Sequence, residues 1–313
     1  MALFCRIAAC CQTYEASVGN GLFDATMTND LVILGPAPFS PAQADAIRAL
    51  APGAAPQFDA RSASIARIAN VADTPALRAS MAVFAQAQSL DAVIVDGTRR
   101  LADFKLVAMD MDSTLITIEC IDEIADYCGL KAEVSAITEA AMRGEIKDFN
   151  ESLTRRVALL RGLDASALDR VYEERLKLSP GAEDMLRGVQ ALGIRTLLVS
   201  GGFTFFTDRL GPRLGLDVTR ANTLEIVDGK LTGRVLGEIV NAEVKARTVA
   251  EVAAQFGATP DQAIVMGDGS NDLLMMAIAG LSVAFRAKPV VREKASVAFN
   301  HVGLDGLLAL FRP

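Results

Sequence analysis

An α/β fold, with a doubly wound parallel sheet, an inserted helical cap and a small N-terminal α/β module, is predicted by three observations. Short apolar runs alternate with helical patterns along most of the chain. Three of those runs stop abruptly at an aspartate or at a serine followed by glycines, and a long helical block interrupts the alternation after the first of them. The elements follow in chain order.

Residues 1–26, MALFCRIAACCQTYEASVGNGLFDAT, carry one Arg and a short apolar run without a long apolar core leading to a cleavage site. They are expected to form a disordered extension ahead of a domain opening at Met27. Residues 27–98 read as a small α/β module. LVILG (31–35) is a strand, and Ser40 to Leu50 a helix with Ser40 as its cap and Pro41 at its first position. SASIARIAN is a second strand, residues 75–88 a second helix, and LDAVIVD (90–96) a further strand. A regulatory or dimerising role suits such a module, since none of its residues forms a catalytic cluster.

FKLVAMD (104–110) reads as a buried parallel strand ending in an acid. Residues 117–178 are expected to form the cap, helical with breaks near Gly129, Gly144 and Gly162. The core, residues 102–116 and 179–313, resumes with a helix from Pro180-Gly181 to Leu192 and the strand IRTLLVS (194–200), which runs into Gly201-Gly202. LEIVDGKLTG (224–233) is a hairpin with an Asp-Gly turn. A helix from about Lys245 to Phe256, the strand AIVMGD (263–268), a helix after Gly-Ser-Asn-Asp, and the strand LSVAF (281–285) complete the pattern.

Composition excludes several functions. Half the residues are hydrophobic (51%), yet no run approaches the roughly 18 apolar residues of a membrane helix. A net charge of −7 argues against a general electrostatic grip on nucleic acid or anionic lipid. The single histidine, His301, leaves little room for histidine-based chemistry. Cys5, Cys10, Cys11, Cys120 and Cys128 fit neither a disulfide framework nor zinc spacing, and read as reduced thiols of a cytoplasmic protein.

The chemistry lies at three strand ends. Asp110 and Asp112 can share a metal, or divide the roles of nucleophile and proton donor. An acidic doublet alone usually marks a solvated turn, but here a buried strand precedes it. Ser200-Gly201-Gly202 offers a hydroxyl and approachable amides to phosphate oxygens. Asp268, in GDGSND, can join Asp110 in holding magnesium, which takes one or two carboxylates and keeps waters. Asp272 or Ser270 there also suits a helix cap. Lys245 supplies a cation that a site crowded with carboxylates and a phosphate dianion needs. In an open α/β sheet all three strand ends face the ligand-binding edge.

DMDST, SGG, the lysine and GDGSND resemble, in order, the four motifs of the haloacid dehalogenase superfamily. Residues 104–310 resemble its phosphoserine phosphatases almost throughout, including TIECIDEIA (117–125), SLTRRVALLRGL (152–163), DGKLTG (228–233) and AFRAKP (284–289). The N-terminal module resembles the ACT-like domains of longer members more distantly. The resemblance implies Asp110 as nucleophile and Asp112 as general acid and base. It also implies Mg2+ on Asp110, the Asp112 main-chain carbonyl and Asp268, with Asp272 supporting that shell. Ser200, the Gly201 amide and Lys245 would bind phosphate with Asn271 nearby. Glu119 would meet the ammonium, and Arg156 the carboxylate, of O-phospho-L-serine; adjacent Arg155 competes for that role. Readings left open are another phosphate monoester, transfer to an alcohol such as homoserine, and an inactive amino-acid sensor. A homodimer through the N-terminal module is a further expectation.

Overall fold

The computed structural model describes residues 29–50, 53–60, 62–142, 145–146 and 148–312. The expected extension 1–26 and the expected break at Gly144 lie outside them. The described chain opens with β1 (Asn29–Leu34), α1 (Pro41–Leu50), β2 (Gln57–Phe58), β3 (Ile65–Val71), α2 (Pro75–Gln88) and β4 (Asp91–Asp96). These strands form an antiparallel sheet in the order β2-β3-β1-β4, a βαββαβ arrangement. Both helices start as their sequences dictate. Ser40 and Gln43 cap α1 reciprocally at 2.9 and 3.2 Å, and Thr74 accepts from Leu77 N ahead of α2.

Period-two alternation decides what covers each face of this sheet. Leu31 and Ile33 pack with Ile47 of α1 and Met81 of α2. Val32 and Leu34 join the large core cluster with Leu304, Leu307 and Phe311 near the C-terminus. Two buried carboxylates fasten the same junction. Asp30, 0% exposed, accepts from Arg67 within the module and from Arg312 at 2.8 Å twice. Asp91 accepts from the backbone N–H groups of Asn300, His301 and Val302.

The second sheet begins at β5 (Leu106–Met109). A helical block follows: α3 (Cys120–Tyr127), α4 (Lys131–Met142), α5 (Phe149–Leu159) and α6 (Ser166–Arg170). The two links to this block run side by side, Ile116 bridging Leu178 and Thr117 N donating to Lys177 O at 2.9 Å. Then come α7 (Ala182–Ala191), β6 (Arg195–Phe203), α8 (Thr204–Leu214), β7 (Val218–Val227), β8 (Lys230–Leu236) and α9 (Ala242–Gln255). The chain closes with β9 (Ala263–Gly267), α10 (Leu273–Ala277), β10 (Leu281–Phe285), α11 (Pro289–Lys294), β11 (Val297–Phe299) and α12 (Gly306–Ala309).

The strand order is β11-β10-β9-β5-β6-β7-β8, parallel except for the β7–β8 hairpin. That hairpin turns at Asp228 and Gly229, both at positive φ (50° and 74°), as a primed turn requires. The sheet is apolar on both faces. Val107, Met109, Leu198, Ile264 and Met266 belong to the cluster shared with α7, α8 and the helical block. Leu106, Ala108, Leu197, Val199 and Val265 pack with Val249 and Val252 of α9 and Met275 of α10. From β5 the chain moves outward through β6 and β7, then returns to β9 on the other side of β5. That reversal opens a crevice at the carboxyl ends of β5, β6 and β9.

Candidate active site

Asp110 follows β5 directly, its N–H bonded to Met266 O of β9 at 3.0 Å, and it is 4% exposed. The chain then makes one wide turn over Met111–Leu115 instead of continuing as a strand or helix. Asp112 stays extended (ψ 135°), Ser113 enters the left-handed region (φ 56°), and Ile116 N closes the turn on Met111 O. This geometry turns Asp110 and Asp112, two residues apart, into one cavity of about 590 Å³. Glu119, Arg156, Ser200, Gly201, Asp268 and Asn271 line the same cavity. Strand ends β5 and β6 approach so closely that a Cβ at position 202 would lie 3.1 Å from both Asp112 Oδ2 and Ser200 Oγ. Any larger residue there would push on the Met111 side chain and on both of these oxygens.

Lys245 and Asp272 lie beneath the cavity, each 0% exposed. Lys245 sits one turn inside α9, which starts at Ala242 and not at Lys245 because Asn241 caps it through Val244 N. Its Nζ meets Asp110 Oδ2 at 2.7 Å and Asp272 Oδ1 at 2.8 Å. Burial alone would lower the Lys245 pKa, but the charges of Asp110 and Asp272 outweigh it and hold the ammonium above its usual range. Asp272 Oδ2 also accepts from the backbone N–H groups of Asp268 and Gly269, shaping the GDGSND turn.

The carboxylates Asp110, Asp268 and Asp272 offer oxygens all within 4.8 Å of one another, a set that can hold a metal ion. Their mutual repulsion is visible in their acidity. Burial, then the charges of Asp110 and Asp272, raise Asp268 to about 7. An all-oxygen, anionic set of this kind suits a hard divalent cation. The Asp112 carboxyl is outside that set. Burial, then Glu119 and Asp110, raise its pKa well above the usual carboxylate range, so the protonated form is favoured.

On the helical block, Glu119 at the start of α3 accepts from Ser113 Oγ at 2.7 Å. Arg156 of α5 donates from Nε to Ser152 O at 3.4 Å. Burial lowers its pKa, opposed by the charges of Asp122, Glu119 and Asp112. Neighbouring Arg155 is instead paired with Glu151 on the exposed side of α5. Sequence reasoning missed several neighbours of the site, Phe149, Asp122 and Lys288 among them. Phe149 packs against Gly201, where an added Cβ would meet its ring at 3.0 Å. Asp122 and Lys288 line the cavity. Lys288 falls within the AFRAKP segment and Asp122 within TIECIDEIA, whereas Phe149 shows only helical spacing.

The haloacid dehalogenase-like hydrolase family model matches residues 107–277. A phosphoserine phosphatase of Polaromonas sp. is 58% identical over 217 residues, covering 68% of this chain and 92% of its own. That of Albidiferax ferrireducens is 56% identical, covering 68% and 92%. Among solved structures, a haloacid dehalogenase family hydrolase from Salmonella enterica serovar Typhi has a TM-score of 0.82 at 32% identity, covering 91% of this chain and 98% of its own. A probable phosphoserine phosphatase from Vibrio cholerae has a TM-score of 0.77 at 37% identity, covering 90% and 85%. With strand order, strand-end acids and these identities in agreement, the chain belongs to the haloacid dehalogenase-like hydrolases, and among them to the phosphoserine phosphatase family.

Proposed function

We propose that this chain hydrolyses O-phospho-L-serine to L-serine and phosphate through a phospho-aspartyl intermediate on Asp110. The observation that carries the reading is one cavity lined by Asp110, Asp112, Glu119 and Arg156, with the Asp112 pKa raised by burial. The names of the related phosphatases support the substrate.

In the first step the Asp110 carboxylate attacks phosphorus and the bond to the serine oxygen breaks. Asp112, favoured in its protonated form, delivers its proton to the departing oxygen. In the second, water attacks phosphorus, its proton passes to the now ionised Asp112, and the bond to Asp110 breaks. The Ser200 hydroxyl and the Gly201 amide bind phosphate oxygens, and Asn271 stands at the same wall. Lys245 fixes the attacking carboxylate from below and offsets its repulsion for the phosphate dianion. Asp110, the Asp112 main-chain carbonyl and Asp268 would hold Mg2+, with Asp272 supporting that shell. Bound there, the ion contributes charge stabilisation to the transferring oxygens.

Glu119 receives the substrate ammonium, and the planar Arg156 fork receives its carboxylate. The helical block 117–178 acts as a cap over the core formed by 102–116 and 179–313. A reducing, cytoplasmic setting fits the unpaired Cys120 and Cys128. No helix among the described residues is long and apolar enough to cross a membrane. A homodimer through the N-terminal module would use its helical face, where Val83 is 70% exposed, because the opposite sheet face is covered. Light scattering that finds a monomer would remove that part of the proposal.

Phosphate release from L-phosphoserine with magnesium, compared with Asp110→Asn and a panel of phosphothreonine and sugar phosphates, tests the reading. A marked preference for phosphoserine, abolished by Asp110→Asn, is expected. Activity confined to other esters would discard the substrate, and activity on none would discard the catalytic reading.

A further inference from the structure

Asn222 of β7 is 1% exposed, and a buried primary amide is costly unless both of its ends find partners. Both do, one on β6 and the other in the loop ahead of α9. Its Nδ2 donates to Gly201 O at 2.8 Å, and its Oδ1 accepts from Val240 N at 2.9 Å. A carbonyl on one side and an N–H on the other also fix which way the amide points.

The first contact stands where the sheet ladder fails. Strands β6 and β7 pair regularly from Leu197↔Val218 to Val199↔Arg220, then resume only at Phe203↔Asn222. Three residues, 200 to 202, therefore face a single residue of β7, and the phosphate-clamp segment bulges away from the ladder. The Asn222 side chain supplies a hydrogen bond to that segment in place of the ladder.

The Gly201 carbonyl and the Gly202 N–H belong to one rigid peptide plane. Asn222 holds its carbonyl end, while its N–H end donates to Ser200 Oγ at 2.9 Å. A hydroxyl oxygen that accepts there retains its own hydrogen for another acceptor, and Ser200 faces the cavity beside Asp110. Rotation of the plane would withdraw that N–H and release the hydroxyl.

The second contact reaches the other half of the site. Val240 immediately precedes Asn241, the cap of α9, and Lys245 N donates to Asn241 O at 2.9 Å. Lys245 in turn holds Asp110 Oδ2. One buried amide thus links the clamp segment to the helix that anchors the nucleophile. We infer that Asn222 is a positioning residue that sets the Ser200–Gly201 clamp against the Lys245 helix for phosphate binding and transfer. This rests on the phosphatase reading above.

Asn222→Asp tests it at pH 8. The carboxylate keeps the acceptor for Val240 N but turns an oxygen toward the Gly201 carbonyl. A lowered kcat/KM, by about 10–100-fold, is expected from a misplaced clamp. Inorganic phosphate, measured by calorimetry with magnesium, should bind at least about tenfold more weakly. A purely structural role would not predict the decisive readout, a cycle with Ser200→Ala. Without the hydroxyl to orient, Asn222→Asp should cost less than about threefold further. Asn222→Ser carries the same cycle if the aspartate variant does not fold. Wild-type turnover and phosphate affinity in the variant, or equal losses with and without Ser200, would overturn the inference. Failure of the unmodified chain to hydrolyse phosphoserine would defeat only the functional proposal, because phosphate binding reads Asn222 without turnover.

Discussion

Replacing Lys245 by Met keeps most of the side-chain stem and deletes the charge, so its effect isolates the buried ion-pair system. The ammonium touches Asp110 at 2.7 Å and Asp272 at 2.8 Å, with all three side chains at most 6% exposed. Removing one partner of a buried pair costs about 3–5 kcal/mol, because the remaining charge is left without compensation. Here two carboxylates are left, but they can limit the cost by taking up protons. Asp272, raised to about 6 by burial against the attraction of Lys245, loses its main stabiliser and should titrate higher still. The loss is therefore greatest at pH 8, where protonation is hardest, and smaller at pH 5. Urea unfolding in chelator should show a deficit of about 3–5 kcal/mol at pH 8, a large part of the 5–15 kcal/mol typical of a domain. With magnesium and phosphoserine, kcat should fall by about 10²–10³ through loss of electrostatic stabilisation. A variant within about 1 kcal/mol of wild type at pH 8 would refute the reasoning, since no buried pair of this geometry should be that weak.

In metal-free protein, Asp268 holds its proton up to about 7 against 3.8 when unfolded, so folded-state stability should fall as pH rises from about 4 to 7. Magnesium should flatten that slope in urea midpoints, and an unchanged slope would count against a cation at this cluster. Arg156→Lys replaces a fork by a point charge; KM for phosphoserine should rise by about 10–100-fold while phosphate esters lacking a carboxylate are little affected. Equal losses on both substrate types would place Arg156 outside the carboxylate contact. Asp30→Asn should destabilise the chain by about 1–3 kcal/mol, discounted because the Arg312 side chain is 45% exposed. Burial pushes Asp30 up, but hydrogen bonds from Arg312 and Arg67 outweigh it and hold its pKa below 3.8. Its contribution is thus present at neutral pH and lost as pH falls below about 4, so the variant and wild type should converge in acid.

The strand-end acids were legible because a buried parallel strand is a nearly continuous apolar run, and DMDST and GDGSND each interrupt one abruptly. The helix starts at Pro41 and Pro75 are equally plain in the local code, although α9 starts three residues before the expected Lys245, because Asn241 caps it. What escaped depends on partners far along the chain. Strand β2 is two residues long and exists only through pairing with Arg67 and Ala66 of β3, so no periodicity could announce it. Asp30 looks like a polar lead-in to a strand; its burial follows from Arg312, 282 residues later.

Lys245 lies under the carboxylates, against Asp110 and Asp272, at a depth that α9 and the sheet decide together. Asn222, within TRANTLE, offers no local sign that it bridges Gly201 and Val240. The division has a physical basis. Side chains that do chemistry must stop a regular element at a fixed place, and the interruption is written locally. Side chains that hold those groups in position act through pairs of distant contacts, and are recognisable only once the sheet has brought both contacts within reach.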